Sequence, residues 1–191
     1  MIRCPRCSEE NPDRARFCLA CGLPLEREEQ LDVPEERRLV TALFVDLVGS
    51  TAHHDDRDPE DVRSRLVPYH TRVRVELERF GGTVEKFIGD AIVALFGAPI
   101  ANEDDPERAV RAAFAVRDAM SKLNAADAWL ALEVRIGVAT GEALVRPWVT
   151  EGEALAMGDV MNTAARVQSA ASPGCIAVGA DTLRATEHAV T

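Results

Sequence analysis

The sequence predicts an α+β fold, a ferredoxin-like βαββαβ sheet preceded by a small four-cysteine metal-binding unit. Three observations carry this. Short β-rich apolar runs alternate with two long segments of helical periodicity. Two runs flank a tight Gly89-Asp90 turn, as a hairpin does. Four of the five cysteines fall within the first 21 residues, as two CxxC pairs.

In chain order, Cys4-Pro-Arg-Cys7 and Cys18-Leu-Ala-Cys21 come first. In a reducing compartment such pairs read as a zinc site rather than as disulfides. Four thiolates close a tetrahedral shell around one Zn²⁺, so the metal is expected to be structural. Gly22 stands where a knuckle turn calls for positive φ. A redox-active CxxC is the competing reading, but no βαβ pattern surrounds these pairs. The ribbon is assigned to 1–25. Residues 26–38, EREEQLDVPEERR, are charged, contain Pro34 and read as a linker. A single larger domain is expected over 39–191.

LVTALFVD, 39–46, fits a strand buried on both faces. Asp58-Pro59 starts a helix, with Val62, Leu66, Tyr69, Val73, Leu77 and Phe80 on its apolar face. Pro68 is expected to kink it and Gly81-Gly82 to end it. VEKFIGDAIVALFG supplies the hairpin. Asp105-Pro106 opens a second helix running to about Leu123, with Ala109, Val110, Ala113, Phe114 and Met120 inward. Residues 131–140 read as a strand, with a second from Glu142 to Val145. A third helix starts at 158 and stops near Pro173-Gly174. CIAVG is a last strand, and a short helical piece follows. The helices are expected on one face of the sheet.

The formal net charge is −10, which argues against generic nucleic-acid binding. The first 25 residues hold four Arg against two Glu and one Asp, so the ribbon gains little support as a DNA reader. No apolar run approaches the roughly 18 residues of a membrane span. The N-terminus opens on cysteines, not on a charged and then apolar signal, which points to the cytoplasm.

Asp46 ends the first strand and Asp90 sits in the hairpin turn. A βαββ unit makes these neighbours, so two carboxylates are expected together at one sheet edge. Such a pair suits Mg²⁺ or Mn²⁺, especially with a substrate phosphate completing the shell. Each alone also fits an ordinary turn or helix cap. Gly49-Ser50-Thr51 offers small residues and free amides for a phosphate. Asn162 and Arg166 share a helix face, either to meet a sugar and a phosphate or, for the Arg, simply to snorkel or cap a partner. Lys86 stands out because 20 of the 22 basic residues are arginine and only Lys122 is another lysine. His53-His54-Asp55-Asp56 reads as a solvated loop, not a metal cluster.

TALFVDLVGST, FGGTVEKFIGDAIVALFG, VRIGVATGEALV and GDVMNTAARVQ together resemble the class III nucleotidyl cyclases, the adenylyl and guanylyl cyclase catalytic domain. The match covers 39 to about 180. CPRCSEENPDRARFCLACGLPL resembles the zinc ribbon that precedes such domains in some bacterial proteins, where an ATPase and helical repeats often follow. Fused or interacting regulatory domains are therefore expected, in a role in signal transduction.

The resemblance implies an adenylyl cyclase converting ATP to cyclic AMP and pyrophosphate. It implies two Mg²⁺ or Mn²⁺ per active site, held by Asp46, Asp90 and the backbone carbonyl of Leu47. Lys86 would contact the purine, Asn162 would orient the ribose and Arg166 would stabilise the transition state. The sites would be shared across a homodimer, with the aspartates from one subunit and Asn162 and Arg166 from the other. Glu85 is expected only to form a salt bridge. Two departures stand out. Leu155 occupies a substrate-facing position where adenylyl cyclases of the family usually carry Asp or Thr. The family domain also normally continues with further strands and a basic residue for the pyrophosphate end, so a shortened or C-terminally incomplete domain is expected. The alternative is a cyclase-like domain that binds nucleotide and regulates a partner without turnover. An interaction module built on the ribbon is a further one. A diguanylate cyclase is disfavoured, because the hairpin carries no GGDEF-like signature.

Overall fold

The computed structural model describes residues 2–12, 15–25, 35–48, 59–146 and 155–189. The chain divides into two units, Met1–Val33 and Pro34–Thr191.

In the first unit, β1 (Ile2–Arg3) pairs antiparallel with β2 (Glu10–Asn11). The Cys4 amide donates to the Glu9 carbonyl and the Cys18 amide to the Leu23 carbonyl, so each pair of cysteines lies in a tight turn. Both turns pass through the left-handed region just after their second cysteine, at Ser8 (φ 62°) and Gly22 (φ 70°). Gly22 meets the expected need; Ser8 does the same work at the cost of about 1 kcal/mol that a Cβ adds there.

The second unit is built on a six-stranded sheet. Its path is β4 (Thr83–Ile88), β5 (Ala91–Phe96), β3 (Glu36–Leu47), β6 (Val134–Val145) and β7 (Ala156–Met157), with β8 (Ile176–Val178) parallel to β6. The first strand thus begins at Glu36, inside the stretch expected as linker. Arg37 and Glu36 pair with Leu144 and Val145, so the long β6 template extends β3 backwards. β6 itself is one strand, not two. Gly141 does not break it, because Val160 packs over that position and fills the space a side chain would take.

The helices are α1 (Pro59–Arg79), α2 (Asp105–Ala126), α3 (Asp159–Ala170) and α4 (Ala180–Thr186). Asp58 and the side chain of Val62 lie outside the described residues. α1 continues through Pro68, and Gly81 (φ 85°) ends the turn that follows it. Strand alternation sorts the core into two layers. Leu43, Val45, Ile92, Ala94, Ile136 and Val138 face α1 and α2. Val40, Ala42, Leu95, Ala139 and Ala143 face Val160 and Ala164 of α3. Helices therefore cover both faces, not one. The small residues Ala42, Ala139 and Ala143 leave room for α3 on the second. Phe114 was expected inward but is partly exposed under the Arg117 guanidinium, 5.0 Å from the ring centroid. Ala109, Val110, Ala113 and Met120 are buried as expected, and Ala112 and Val116 complete the stripe.

Candidate active site

Antiparallel pairing puts Val45 of β3 opposite Ile92 of β5. The end of β3 therefore comes level with the hairpin turn, and Asp46 lies near Asp90. Asp46 is half-buried. Burial raises its pKa above the ordinary carboxylate range, and the Asp90 charge raises it further. A side-chain amide from Gln168, 3.3 Å from Oδ2, the Arg135 charge and the Leu47 backbone oppose the shift. A carboxylate held beside a second one, with its own ionisation disfavoured, is the setting a divalent cation relieves. With the carbonyl of Leu47 adjacent, the donors are all hard oxygens, which fits Mg²⁺ or Mn²⁺.

The turn itself is fixed from beneath. Gly89 takes φ 63°, with nothing within 4 Å of where a Cβ would stand, so backbone conformation alone calls for glycine. The fully buried Tyr69 donates its hydroxyl to the Asp90 carbonyl at 3.0 Å. Burial holds the Tyr69 pKa well above its usual value, with the Asp90 and Asp46 charges adding to it, so the phenol stays a donor. His70 beside it is kept below its ordinary pKa, chiefly by burial, although a hydrogen bond with the Gly89 backbone and the Asp90 charge pull the other way. The sequence placed Tyr69 only in an apolar stripe; its bond to the turn joins residues 21 apart.

Lys86 is about half exposed on β4, with Nζ 4.0 Å from Glu85 Oε2. The ladder skips Glu85: Val84 pairs with Ala94 and Lys86 with Val93. This bulge re-aims the side chains on either side of it. Glu85 is buried and accepts the Leu155 amide on Oε1 at 3.0 Å. The Leu155 side chain packs into the second apolar layer. Glu85 thus has an ion-pair partner, as expected, and a backbone partner 70 residues away that was not.

α3 buries Val160, Ala164 and Gln168 against the sheet. Asn162 and Arg166 are exposed. Arg166 donates to Thr163 Oγ1 at 3.1 Å and lies 3.8 Å from Asp159 Oδ2, both on its own helix. One chain therefore brings together Asp46 and Asp90, and separately Lys86 and Leu155, while Asn162 and Arg166 look outward. Gly49, Ser50 and Thr51 lie outside the described residues.

In the ribbon, the sulfurs of Cys4, Cys7, Cys18 and Cys21 all lie within 4.8 Å of one another. Cys4–Cys21 is 3.6 Å and Cys7–Cys18 is 3.5 Å. These are close to the edge of a Zn–S₄ tetrahedron, about 3.8 Å for bonds near 2.3 Å, and far beyond a disulfide of about 2 Å. Burial works against ionising Cys18, but the amides of Cys21 and Ala20 and the Cys7 thiol bring its pKa down to about 6. At Cys7 a backbone hydrogen bond at Glu9 favours the thiolate, but the Cys18 sulfur and desolvation push the pKa up to about 12. Thiolates this close repel one another unless a cation sits among them. Asn11, fully buried, accepts the Leu19 amide at 2.8 Å and lies 3.7 Å from Cys18 Sγ. It is a supporting residue the CxxC spacing does not disclose.

Residues 33–190 match the family model described as the adenylate and guanylate cyclase catalytic domain. The chain belongs to that family. Residues 3–25 ahead of the cyclase domain match a zinc-ribbon domain. Adenylate cyclase 1 of Rhizobium meliloti is 34% identical over 138 residues, 69% of this chain and 21% of that protein. An uncharacterized protein of Mycobacterium tuberculosis is 32% identical over 157 residues, 80% of this chain and 28% of that protein. The chain thus spans about a fifth of the first of these relatives and somewhat more than a quarter of the second. Among solved structures, the adenylyl cyclase CyaB of P. aeruginosa superposes with a TM-score of 0.74 at 26% identity, covering 83% of this chain and 85% of that one. The guanylyl cyclase Cya2 gives 0.73 at 33% identity, covering 79% of each. The cyclase fold is therefore shared with enzymes of both base preferences. No helix among the described residues is long and apolar enough to cross a membrane.

Proposed function

We propose that this chain is an adenylyl cyclase, forming cyclic AMP and pyrophosphate from ATP at sites shared within a homodimer. The observation that carries this is the β3–β5 register, which brings Asp46 at the end of β3 level with Asp90 in the hairpin turn. Asp46, Asp90 and the Leu47 carbonyl would hold two Mg²⁺ or Mn²⁺. When bound, the metals would acidify the ribose 3′-hydroxyl and offset charge on the phosphoryl oxygens.

The chain's own groups do the rest. Lys86 offers a compact ammonium to a purine ring nitrogen, a contact Arg's broad fork fits less well. Asn162 and Arg166, exposed on α3, are free to face a partner's aspartates. There Asn162 would orient the ribose, and Arg166 would offset charge on the α-phosphoryl as the 3′-oxygen bonds to phosphorus and the bond to pyrophosphate breaks. Gly49, Ser50 and Thr51 would hold phosphate oxygens. The matching organisation is a zinc ribbon over 1–25 with one structural Zn²⁺, a linker, and a cyclase domain starting at the Glu36 strand. The fusions of the family would make it the output or control module of a larger cytoplasmic signalling protein.

A second reading, a nucleotide-binding regulatory domain without turnover, is favoured by one observation: the Leu155 side chain is buried and offers the base no polar group. One experiment separates the two. The purified chain is incubated with ATP or GTP and Mn²⁺ or Mg²⁺ over a range of protein concentration, beside Asp90→Ala. Cyclic AMP that rises faster than linearly with protein, and falls about 10³-fold or more in the variant, is the expected result. Cyclic GMP instead would reassign the base. Nucleotide binding with no product would leave the regulatory reading.

A further inference from the structure

The hydrogen bonding around β4 leaves one carboxylate whose role the cyclase reading does not supply. Glu85 is a bulge residue with a side chain only 3% exposed. A buried carboxylate is costly unless its oxygens are engaged. Oε1 is engaged by the Leu155 amide at 3.0 Å. Oε2 is buried and makes no hydrogen bond among the described residues; the charge nearest to it in the structure's ion pairs is Lys86 Nζ, at 4.0 Å. One side chain therefore reaches both positions at which the adenylyl cyclase reading places base selection.

We propose that Glu85 is a positioning residue for base selection, holding the backbone at Leu155 with one carboxylate oxygen and the Lys86 ammonium with the other. This rests on the reading of Lys86 as the base contact. Adenine presents an acceptor at ring position N1, whereas guanine presents an N–H there and an acceptor at the neighbouring O6. An ammonium held in one place meets the adenine acceptor and opposes the guanine donor, which is discrimination by repulsion as well as attraction. An ammonium on a free four-carbon stem swings to O6 and tolerates both bases. The side chain of Leu155 supplies no polar group, so selection in this chain depends on how firmly Lys86 is placed.

The test uses the full chain with Mg²⁺ and measures equilibrium binding of 3′-deoxy-ATP and 3′-deoxy-GTP, which cannot cyclise. Glu85→Gln keeps the shape and an acceptor for the Leu155 amide but loses the charge. It should reduce the preference for the adenine nucleotide by about two- to fivefold, the scale of a half-exposed ion pair, while its melting temperature stays near that of the wild type. In a Lys86→Met background the same substitution should have no further effect on the ratio, because Glu85 acts through Lys86. An unchanged ratio in Glu85→Gln, a wild type with no preference, or an effect that persists undiminished in Lys86→Met would each overturn the proposal. Turnover is assayed separately on the wild type. A shifted binding ratio without cyclic nucleotide production sinks the enzyme reading and leaves the role of Glu85 standing. Turnover with an unshifted ratio does the reverse, and no binding of either nucleotide overturns both.

Discussion

Replacing Gly137 with alanine should move α3, and with it half of the proposed catalytic apparatus. Gly137 lies in the middle of β6, directly under the helix. An added Cβ would stand 2.6 Å from the Ala164 carbonyl oxygen and from Gln168 Cα, and nearer still to the Gln168 amide nitrogen. All three are backbone atoms, so no side chain can rotate away. Restoring ordinary separations of roughly 3.5 Å requires the helix to retreat by about 1 Å. Overpacking of this kind costs about 3 kcal/mol where the neighbours are rigid. For a unit of this size that is a fall in melting temperature of roughly 6–12 °C. The same retreat draws Gln168 away from Asp46 and displaces Asn162 and Arg166, and a 1 Å error in catalytic groups costs about 10²-fold in rate. Gly89→Ala is the control. It has open space around the new methyl but a φ of 63°, so only a backbone cost of about 1–2 kcal/mol applies. Thermal melts of both variants, with cyclic nucleotide production at a temperature where each is folded, test the argument. A Gly137→Ala protein that melts within about 1 °C of the wild type, or no lower than Gly89→Ala, would refute it.

Two further outcomes follow from the charges and the thiols. The folded pKa of Asp46 lies above its ordinary 3.8, so its contribution to stability is complete below 3.8 and is lost as pH rises through the raised folded value. Metal-free wild type should therefore lose stability relative to Asp46→Asn across that window, seen as diverging melting temperatures, and Mg²⁺ at neutral pH should narrow the gap; parallel curves would count against the burial and the Asp90 effect. In the ribbon, the purified chain should carry one Zn²⁺, counted by elemental analysis. Stripping it or changing Cys18→Ser should collapse the amide dispersion of Met1–Val33 while leaving the main melting transition unmoved, and Asn11→Ala should weaken zinc retention by about 10–100-fold.

The parts of this molecule that the sequence discloses are those whose cause is local. The CxxC turns need only their own residues and a left-handed position after each. The hairpin needs Gly89, and register then carries Asp90 beside the end of β3 without further information. What the sequence conceals is set by partners far along the chain. Strand β3 begins at Glu36 because β6 extends alongside it, and nothing within EERR says so. Phe114 reads as core by hydrophobicity, yet the helix is rotated so that alanines meet the sheet and the ring is left to Arg117. Glu85 reads only as one half of a salt bridge, but a bulge turns it inward to an amide 70 residues on.

The same distinction separates the two halves of the proposed site. Asp46 and Asp90 are fixed by hydrogen-bonded register within one chain, and Tyr69 and Gln168 hold them from below and beside. Asn162 and Arg166 stand on the face of α3 turned away from that sheet, and among the described residues Arg166 finds partners only within its own helix. A side chain placed to steady a phosphoryl group gains nothing from Thr163 and Asp159 alone, because exposed pairs of this kind contribute little. Yet the helix bearing it is seated on a glycine that admits no methyl. Rigid support beneath a helix whose polar outer face has no distant partner among the described residues is what the proposed site, completed by a second copy of the chain, would require.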